Sequence, residues 1–238
     1  MRSACANYRI LTRVPIETNY PDLLRYGKGS HLDLTAIMDE RGIRVAPSTT
    51  YRWVQHFIPE FKRRWDRLAK PVGTSWRVDE TYVSIRGQWH YLYRAVDKHD
   101  HTVDFYLTKS RGITAAQEFF RNALASHADH PLRKVTLDGH APSHRAVRLL
   151  RREHDTWRHV QLRCCRYFNN IVEQDHRAIK RRCAAMHGLK WVESACTTIA
   201  GIELAHRMRK RQFALGHCKG RLRHSLKSAW NVALFGHC

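Results

Sequence analysis

The chain has 238 residues, enough for one main domain and a small appended region, because a domain usually takes about 100–200 residues. Its 42 lysines and arginines outnumber 21 aspartates and glutamates, which gives a formal net charge of +21. A surplus of this size predicts a polyanionic partner, and nucleic acid is the first candidate. No apolar run approaches the roughly 18–20 residues that span a bilayer, so the composition argues against a membrane partner.

The first residues also bear on the compartment. Residues 1–14 carry charges inside their apolar stretch and lack the uninterrupted apolar core of a secretory signal. The 7 cysteines, an odd number without a C-x-x-C motif, predict reduced thiols rather than a disulfide framework. We therefore expect a cytoplasmic protein.

Residues 1–30 have little hydrophobic periodicity, and Pro15 and Pro21 would interrupt a helix there. We predict an irregular segment with at most one short helix, around Asp22–Tyr26. At the other end, residues 214–238 predict a basic tail, and its repeated Gly-His-Cys tripeptides match no zinc-ligand spacing. Neither terminal segment carries a clear functional signal.

Residues 31–70 predict a helix-turn-helix region followed by a basic linker. The first helix has apolar residues at helical spacing and ends at Gly42, while the second takes Ser48 as its N-cap. In such a unit the second helix enters the major groove, and its outward residues would be Thr49, Thr50 and Arg52. The alternative is a helical hairpin with a purely structural role.

Residues 74–213 change to alternating, β-branched and aromatic segments and then mix strands with helices. The predicted strands are 76–85, 89–97, 102–109, 133–138 and 158–163, and the predicted helices are 113–128, 142–154, 169–186 and 191–213. This order is typical of an α/β ribonuclease H-like domain, a mixed five-stranded sheet with helices. The analogy concerns the fold alone until side chains support it.

Three carboxylates occupy suggestive places in this pattern. Asp79 lies inside the first strand, Asp138 ends the fourth, and Glu173 lies in the first turns of a helix. If the first and fourth strands are neighbours, these carboxylates gather at one place and repel one another unless cations bind between them. Two Mg²⁺ ions would meet that need and promote phosphoryl transfer. Alternatively, each residue has an ordinary structural role, such as an ion pair of Asp79 with Arg77 or Arg94.

The sequence also contains five motifs at characteristic spacing. They are W-R-V-D-E-T-Y at 76–82, Y-L-Y-R-A-V-D at 91–97, L-D-G-H-A-P-S at 137–143, Y-F-N-N-I-V-E-Q-D-H-R-A-I-K-R-R at 167–182 and T-I-A-G-I-E at 198–203. Together they resemble the transposases of insertion sequence family six. In that family, 34 residues separate the second Asp of a D, D, E triad from its Glu, as they separate Asp138 from Glu173 here. A Lys or Arg follows the Glu by seven residues, as Lys180 does here.

The resemblance implies a DDE catalytic domain in which Asp79, Asp138 and Glu173 bind the metal ions, Mg²⁺ or its substitute Mn²⁺. It also implies recognition of terminal inverted repeats, strand transfer into target DNA and a homo-oligomer on DNA in the bacterial nucleoid. Helical spacing puts Lys180 on the face of Glu173, with His176 and Arg177 between them, so all three basic residues are predicted to contact phosphates.

Two alternatives to an active transposase remain at this stage. One is a catalytically silent DNA-binding remnant, because residues 10–33 depart from the apolar helix that family members have before the helix-turn-helix. The other is a nuclease of the same fold without strand-transfer activity.

Trp89, Tyr91 and Tyr93 share one strand face by their spacing of two. They are predicted either to pack in the core or to stack on unpaired bases.

Overall fold

The computed structural model describes two compact units, and each is considered by itself. One unit comprises Met1–Leu68 with Phe213–Cys238, and the other Ala69–Gln212. The residues whose structure is described are 31–40, 42–128, 130–165, 170–185 and 189–214. The predicted short helix at Asp22–Tyr26 and the Gly-His-Cys tripeptides therefore lie outside them. Across the described ranges, every helix is too short or too polar to cross a membrane.

The first unit contains two consecutive helices, α1 at His31–Glu40 and α2 at Pro47–Asp66. Gly42 follows α1 with a φ of +76°, the left-handed conformation expected of a residue that ends a helix. The prediction of Ser48 as the N-cap of α2 was wrong, because the cap is Ala46 and no side chain bonds there. Pro47 starts the helix, since its φ is already helical and it has no N–H to satisfy.

Thr50 corrects a second expectation about α2. It was predicted to face outward, but it is only 1% exposed, and its hydroxyl donates a hydrogen bond to the Pro47 carbonyl at 2.8 Å. Thr49 is half-buried and Arg52 is exposed, so these two remain accessible. The helix also takes up much of the predicted basic linker, with Glu60 pairing to Arg63 and Arg64 over its last turns.

The second unit is built on one mixed sheet. Its order is β3-β2-β1-β4-β5, with β1, β2 and β3 antiparallel and β4 and β5 parallel to β1. The strands are β1 Ser75–Ile85, β2 Gln88–Asp97, β3 Thr102–Thr108, β4 Lys134–Leu137 and β5 Gln161–Cys164. This arrangement is the predicted ribonuclease H-like fold, and it makes β1 the neighbour of β4.

Helices cover both faces of the sheet. They are α3 Ile113–Ala125, α4 Ala141–Glu153, the single turn α5 Asp155–Arg158, α6 Asn170–Ala185 and α7 Val192–Arg209. The last strand was predicted to begin at residue 158, but it begins at Gln161, because the turn α5 extends to Arg158. Side chains of β1 alternate between two cores: Val78 packs in the core with Phe119 of α3, and Val83 in the core with Ile179 of α6. This period of two places Asp79 on the same face of β1 as Val83.

A buried ion network joins α6 and α7 to the sheet. Arg94 of β2 is fully buried, and its guanidinium lies 2.8 Å from Asp175 of α6 and 2.8 Å from Glu203 of α7. Lys210 lies 2.6 Å from Asp175 and 2.9 Å from Asp100. A buried guanidinium is costly to desolvate, so its two carboxylate partners must stay in place.

We predict that Arg94→Met lowers the free energy of unfolding by about 3–5 kcal/mol, because buried Glu203 loses the guanidinium it pairs with and Asp175 keeps only Lys210 of these two partners. Arg121→Met is the control, since Arg121 pairs with Glu153 on the surface, where both side chains are nearly half exposed. The loss there should be below about 1 kcal/mol. Urea unfolding of both variants measures the difference, and equal losses would contradict a special role of Arg94.

Asp97 secures the end of β2 to the segment before β1. Its buried carboxylate accepts backbone N–H groups of Gly73 at 2.8 Å, His99 at 2.8 Å and His101 at 2.9 Å. Burial by itself raises the pKa of this carboxyl group, but the backbone donors of Gly73, His101 and His99 outweigh it and hold the pKa below its usual range. The ionised form therefore stabilises the start of β1, the strand that carries Asp79.

We predict that Asp97→Asn destabilises the protein at pH 7 and much less in acid. A carboxyl group whose pKa is lowered on folding stabilises fully above its unfolded pKa of about 3.9, and the effect is lost as the pH falls through the lower folded pKa. Urea unfolding of the wild type and the variant at neutral pH and near pH 3 gives the two differences. A difference that does not shrink in acid would show that the Asp97 charge is unimportant.

Candidate active site

Two of the three predicted carboxylates follow a paired position of neighbouring strands. Val78 of β1 pairs with Leu137 of β4 in the parallel register, and the next residues are Asp79 and Asp138. Neighbouring strands lie about 4.8 Å apart, so the backbone brings these two acids together. Asp138 follows β4 rather than ending it, and its Oδ1 accepts the backbone N–H of His140 at 2.9 Å.

The electrostatics of Asp79 also indicate that the carboxylates are near one another. The pKa of Asp79 is raised to about 6, first by burial and then by the charges of Asp138, Glu80 and Glu173, while a backbone hydrogen bond from Glu80 opposes the rise. Asp79 does not form the ion pair with Arg94 that was the structural alternative, because Arg94 is occupied by Asp175 and Glu203. A cation between the carboxylates would favour the ionised form of Asp79.

Glu173 is the most accessible of the three. It lies in the first turn of α6, its side chain is 53% exposed, and it pairs with Arg177 at 2.9 Å. With the side chains in these positions, no three His, Cys, Asp or Glu residues of the described chain are arranged to hold a metal ion. An exposed i,i+4 pair contributes only about 0.3–0.5 kcal/mol, so little energy keeps the Glu173 carboxylate with Arg177.

The basic residues predicted beside Glu173 differ in their surroundings. His176 is buried, its Nδ1 lies 3.6 Å from Oδ2 of Asp79, and burial, with the charges of Arg94 and Lys180, lowers its pKa to about 3. The structure therefore corrects its predicted contact with phosphate, because a buried neutral imidazole offers neither charge nor access. Arg177 is well exposed, and the Lys180 ammonium lies 4.2 Å from the centre of the Tyr82 ring.

Sequence reasoning missed a cluster on the opposite face of β1. The Glu80 carboxylate pairs with Arg111, just before α3, and lies 3.0 Å from Nδ1 of His140. His140 follows Asp138 by two residues, so the cluster ties the loop that carries Asp138 to β1. Alternation along β1 predicts that Glu80 points away from Asp79, but the sequence holds no signal for partners 31 and 60 residues away.

A family model and a solved structure are similar to parts of this chain. Residues 73–212 match the family described as a DDE domain. The catalytic core domain of BIV integrase aligns with a TM-score of 0.41 at 16% identity, covering 56% of this chain and 83% of that chain.

Two curated relatives are transposases of Staphylococcus aureus. The transposase for insertion sequence-like element IS431mec is 35% identical over 188 residues, covering 76% of this chain and 79% of the relative. The transposase for insertion sequence element IS257 in transposon Tn4003 is 34% identical over 194 residues, covering 79% and 81%. As the five motifs predicted, the chain belongs to the DDE transposases of insertion sequence family six.

Proposed function

We propose that Asp79, Asp138 and Glu173 are the catalytic carboxylates of this DNA transposase and act in cleavage and strand transfer at insertion-sequence ends. The observation that carries the proposal is the parallel register of β1 and β4, which puts Asp79 beside Asp138, and the charges of Asp138 and Glu173 add to the rise that burial causes in the pKa of Asp79. These are also the D, D and E of the sequence motifs. No comparison and no described residue favours a catalytically silent remnant.

The DDE family generally uses divalent metal ions, and the donor set proposed here fits them. Three carboxylates present only oxygen ligands, the type that Mg²⁺ prefers, with Mn²⁺ as a substitute. When bound, two such ions would activate the attacking oxygen and stabilise the leaving oxygen at phosphorus. Asp79, Asp138 and Glu173 would hold them, Glu173 after its side chain turns away from Arg177.

In this proposal the other residues position the acids and the DNA. His176 fills the space behind Asp79, where its neutral ring excludes water without competing as a cation. Arg177 and Lys180, one helical turn apart on α6, would contact phosphates near the scissile bond. The oxygen of water or of a DNA 3′-hydroxyl attacks the phosphorus, and the bond from phosphorus to the leaving 3′-oxygen breaks.

The remaining expectations concern DNA recognition and assembly. Family membership implies DNA binding, and the net charge of +21 supports it. We propose that α1 and α2 recognise the terminal inverted repeats, with Thr49 and Arg52 as the accessible contacts. We further propose a homo-oligomer that joins the element ends to target DNA in the nucleoid.

The test uses Asp138→Asn with a labelled duplex that carries the native terminal repeats and with Mg²⁺. We expect nicking to fall by more than about 100-fold while duplex binding persists, because the exchange removes a charged metal ligand but no basic surface. Asp155→Asn, the same exchange at an exposed position of α5, is the matched control and should nick normally. Equal products from wild type and Asp138→Asn would contradict the assignment.

A further inference from the structure

Two large aromatic side chains lie exposed at the outer end of the hairpin formed by β1 and β2. Tyr82 is 53% exposed and Trp89 is 60% exposed. Their rings meet edge to face with centroids 5.0 Å apart. Each ring thus supports the other while leaving much of its surface to solvent.

These rings form the outer part of a stripe along one face of the hairpin. Cross-strand pairs place Ser84 opposite Trp89, Tyr82 opposite Tyr91 and Glu80 opposite Tyr93. Exposure rises along β2 from buried Tyr93 through half-buried Tyr91 to exposed Trp89. At its inner end the stripe reaches Glu80, which contacts His140 in the loop of Asp138. The stripe therefore lies on the face of β1 opposite to Asp79, and it is linked to the candidate active site through the contact of Glu80 with His140 in the loop of Asp138.

Cations lie against the rings of this stripe. The Lys180 ammonium is 4.2 Å from the centroid of Tyr82, and the Arg111 guanidinium carbon is 5.8 Å from the centroid of Tyr91. A surface that combines flat apolar rings with positive charge complements a ligand that combines flat apolar rings with negative charge. Nucleotides have this combination, and the excess of basic residues in the chain adds to the attraction.

We propose that Tyr82 and Trp89 bind unpaired DNA nucleotides by stacking, with Lys180 beside their phosphates. The inference deepens the proposed strand-transfer function and rests on it. Unpaired nucleotides are specified because bases within a duplex are already stacked on both faces, whereas a separated base has a free face to offer. Stacking on these rings requires no particular base, so the surface would hold strands of differing sequence near the candidate active site.

The experiment measures binding of the full chain to a short single-stranded DNA that carries one 2-aminopurine, and to a duplex with the same label. The variants are Trp89→Ala, Trp89→Phe and, as control, Trp191→Ala. Trp191 is a matched control because it is also 60% exposed and also has a cation against its ring. The Arg86 guanidinium carbon lies 5.1 Å from the ring centroid. It lies outside the stripe, just before α7.

We expect Trp89→Ala to weaken single-strand binding by about tenfold or more and to abolish 2-aminopurine quenching, since stacking on one ring is lost. Trp89→Phe should restore most of the affinity, and Trp191→Ala should bind as the wild type does. Duplex affinity should change by less than about twofold in all three, because phosphate contacts dominate it.

Three results would overturn the inference: unchanged single-strand binding by Trp89→Ala, equal loss for single strand and duplex, or equal loss in Trp89→Ala and Trp191→Ala. A change in sedimentation of DNA-free Trp89→Ala with unchanged DNA binding would instead assign the rings to contact between protein copies. Mg²⁺-dependent nicking by the wild type is measured in parallel. If the wild type does not nick, the proposed function is rejected. If the wild type nicks and Trp89→Ala binds single-stranded DNA as the wild type does, only the stacking surface is rejected.

Discussion

The buried guanidinium of Arg94 joins two helices of the second unit to its sheet. Its charge belongs to β2, an inner strand of the sheet, and its partners come from two different helices, Asp175 of α6 and Glu203 of α7. If either helix moved away, a buried charge would lose the ion pair that compensates its burial. Because Asp175 follows Glu173 by two residues, the network that stabilises the fold also determines where the first turn of α6 lies.

The three candidate carboxylates are held with different stiffness. Asp79 and Asp138 follow a parallel strand pair, so the sheet determines their separation. Glu173 belongs to a helix held by the Arg94 network, but its own side chain is exposed, and its ion pair within the described part of the chain is with Arg177. On the proposed assignment, two ligands are preorganised by the backbone and the third completes the site by a side-chain rotation, a movement that costs little at an exposed position.

Positive charge is distributed unevenly around this site. His176, nearest to Asp79, is kept neutral by burial, while Arg177 and Lys180 on the same helix retain access to solvent or to an aromatic ring. On the proposed assignment, a neutral group next to Asp79 leaves the carboxylates free for cations, and Arg177 and Lys180 would contact phosphates. The same helix would thus serve both electrostatic tasks of the proposed reaction.

Local patterns in the sequence determined much of this protein. Alternation predicted the strands of the sheet, helical spacing predicted its main helices, and the interval from Asp138 to Glu173 with its motifs predicted the family. The preference of Ser for the N-cap position predicted a start at Ser48, but α2 begins one residue earlier, because Pro47 favours the first helical position. Alternation predicted that Trp89, Tyr91 and Tyr93 share one face of β2, but it did not predict that their exposure falls from Trp89 to Tyr93.

Only the tertiary structure decided which side chains are buried and paired. Thr50 and His176 lie at helical positions whose orientation depends on what packs against the helix, so local spacing did not predict that both side chains are buried. Arg94 and Glu203 are 109 residues apart, and Glu80 and His140 are 60 apart, so no local pattern relates them. Periodicity and motif spacing are properties of neighbouring residues, whereas burial and ion pairing depend on distant segments that meet only in the folded chain.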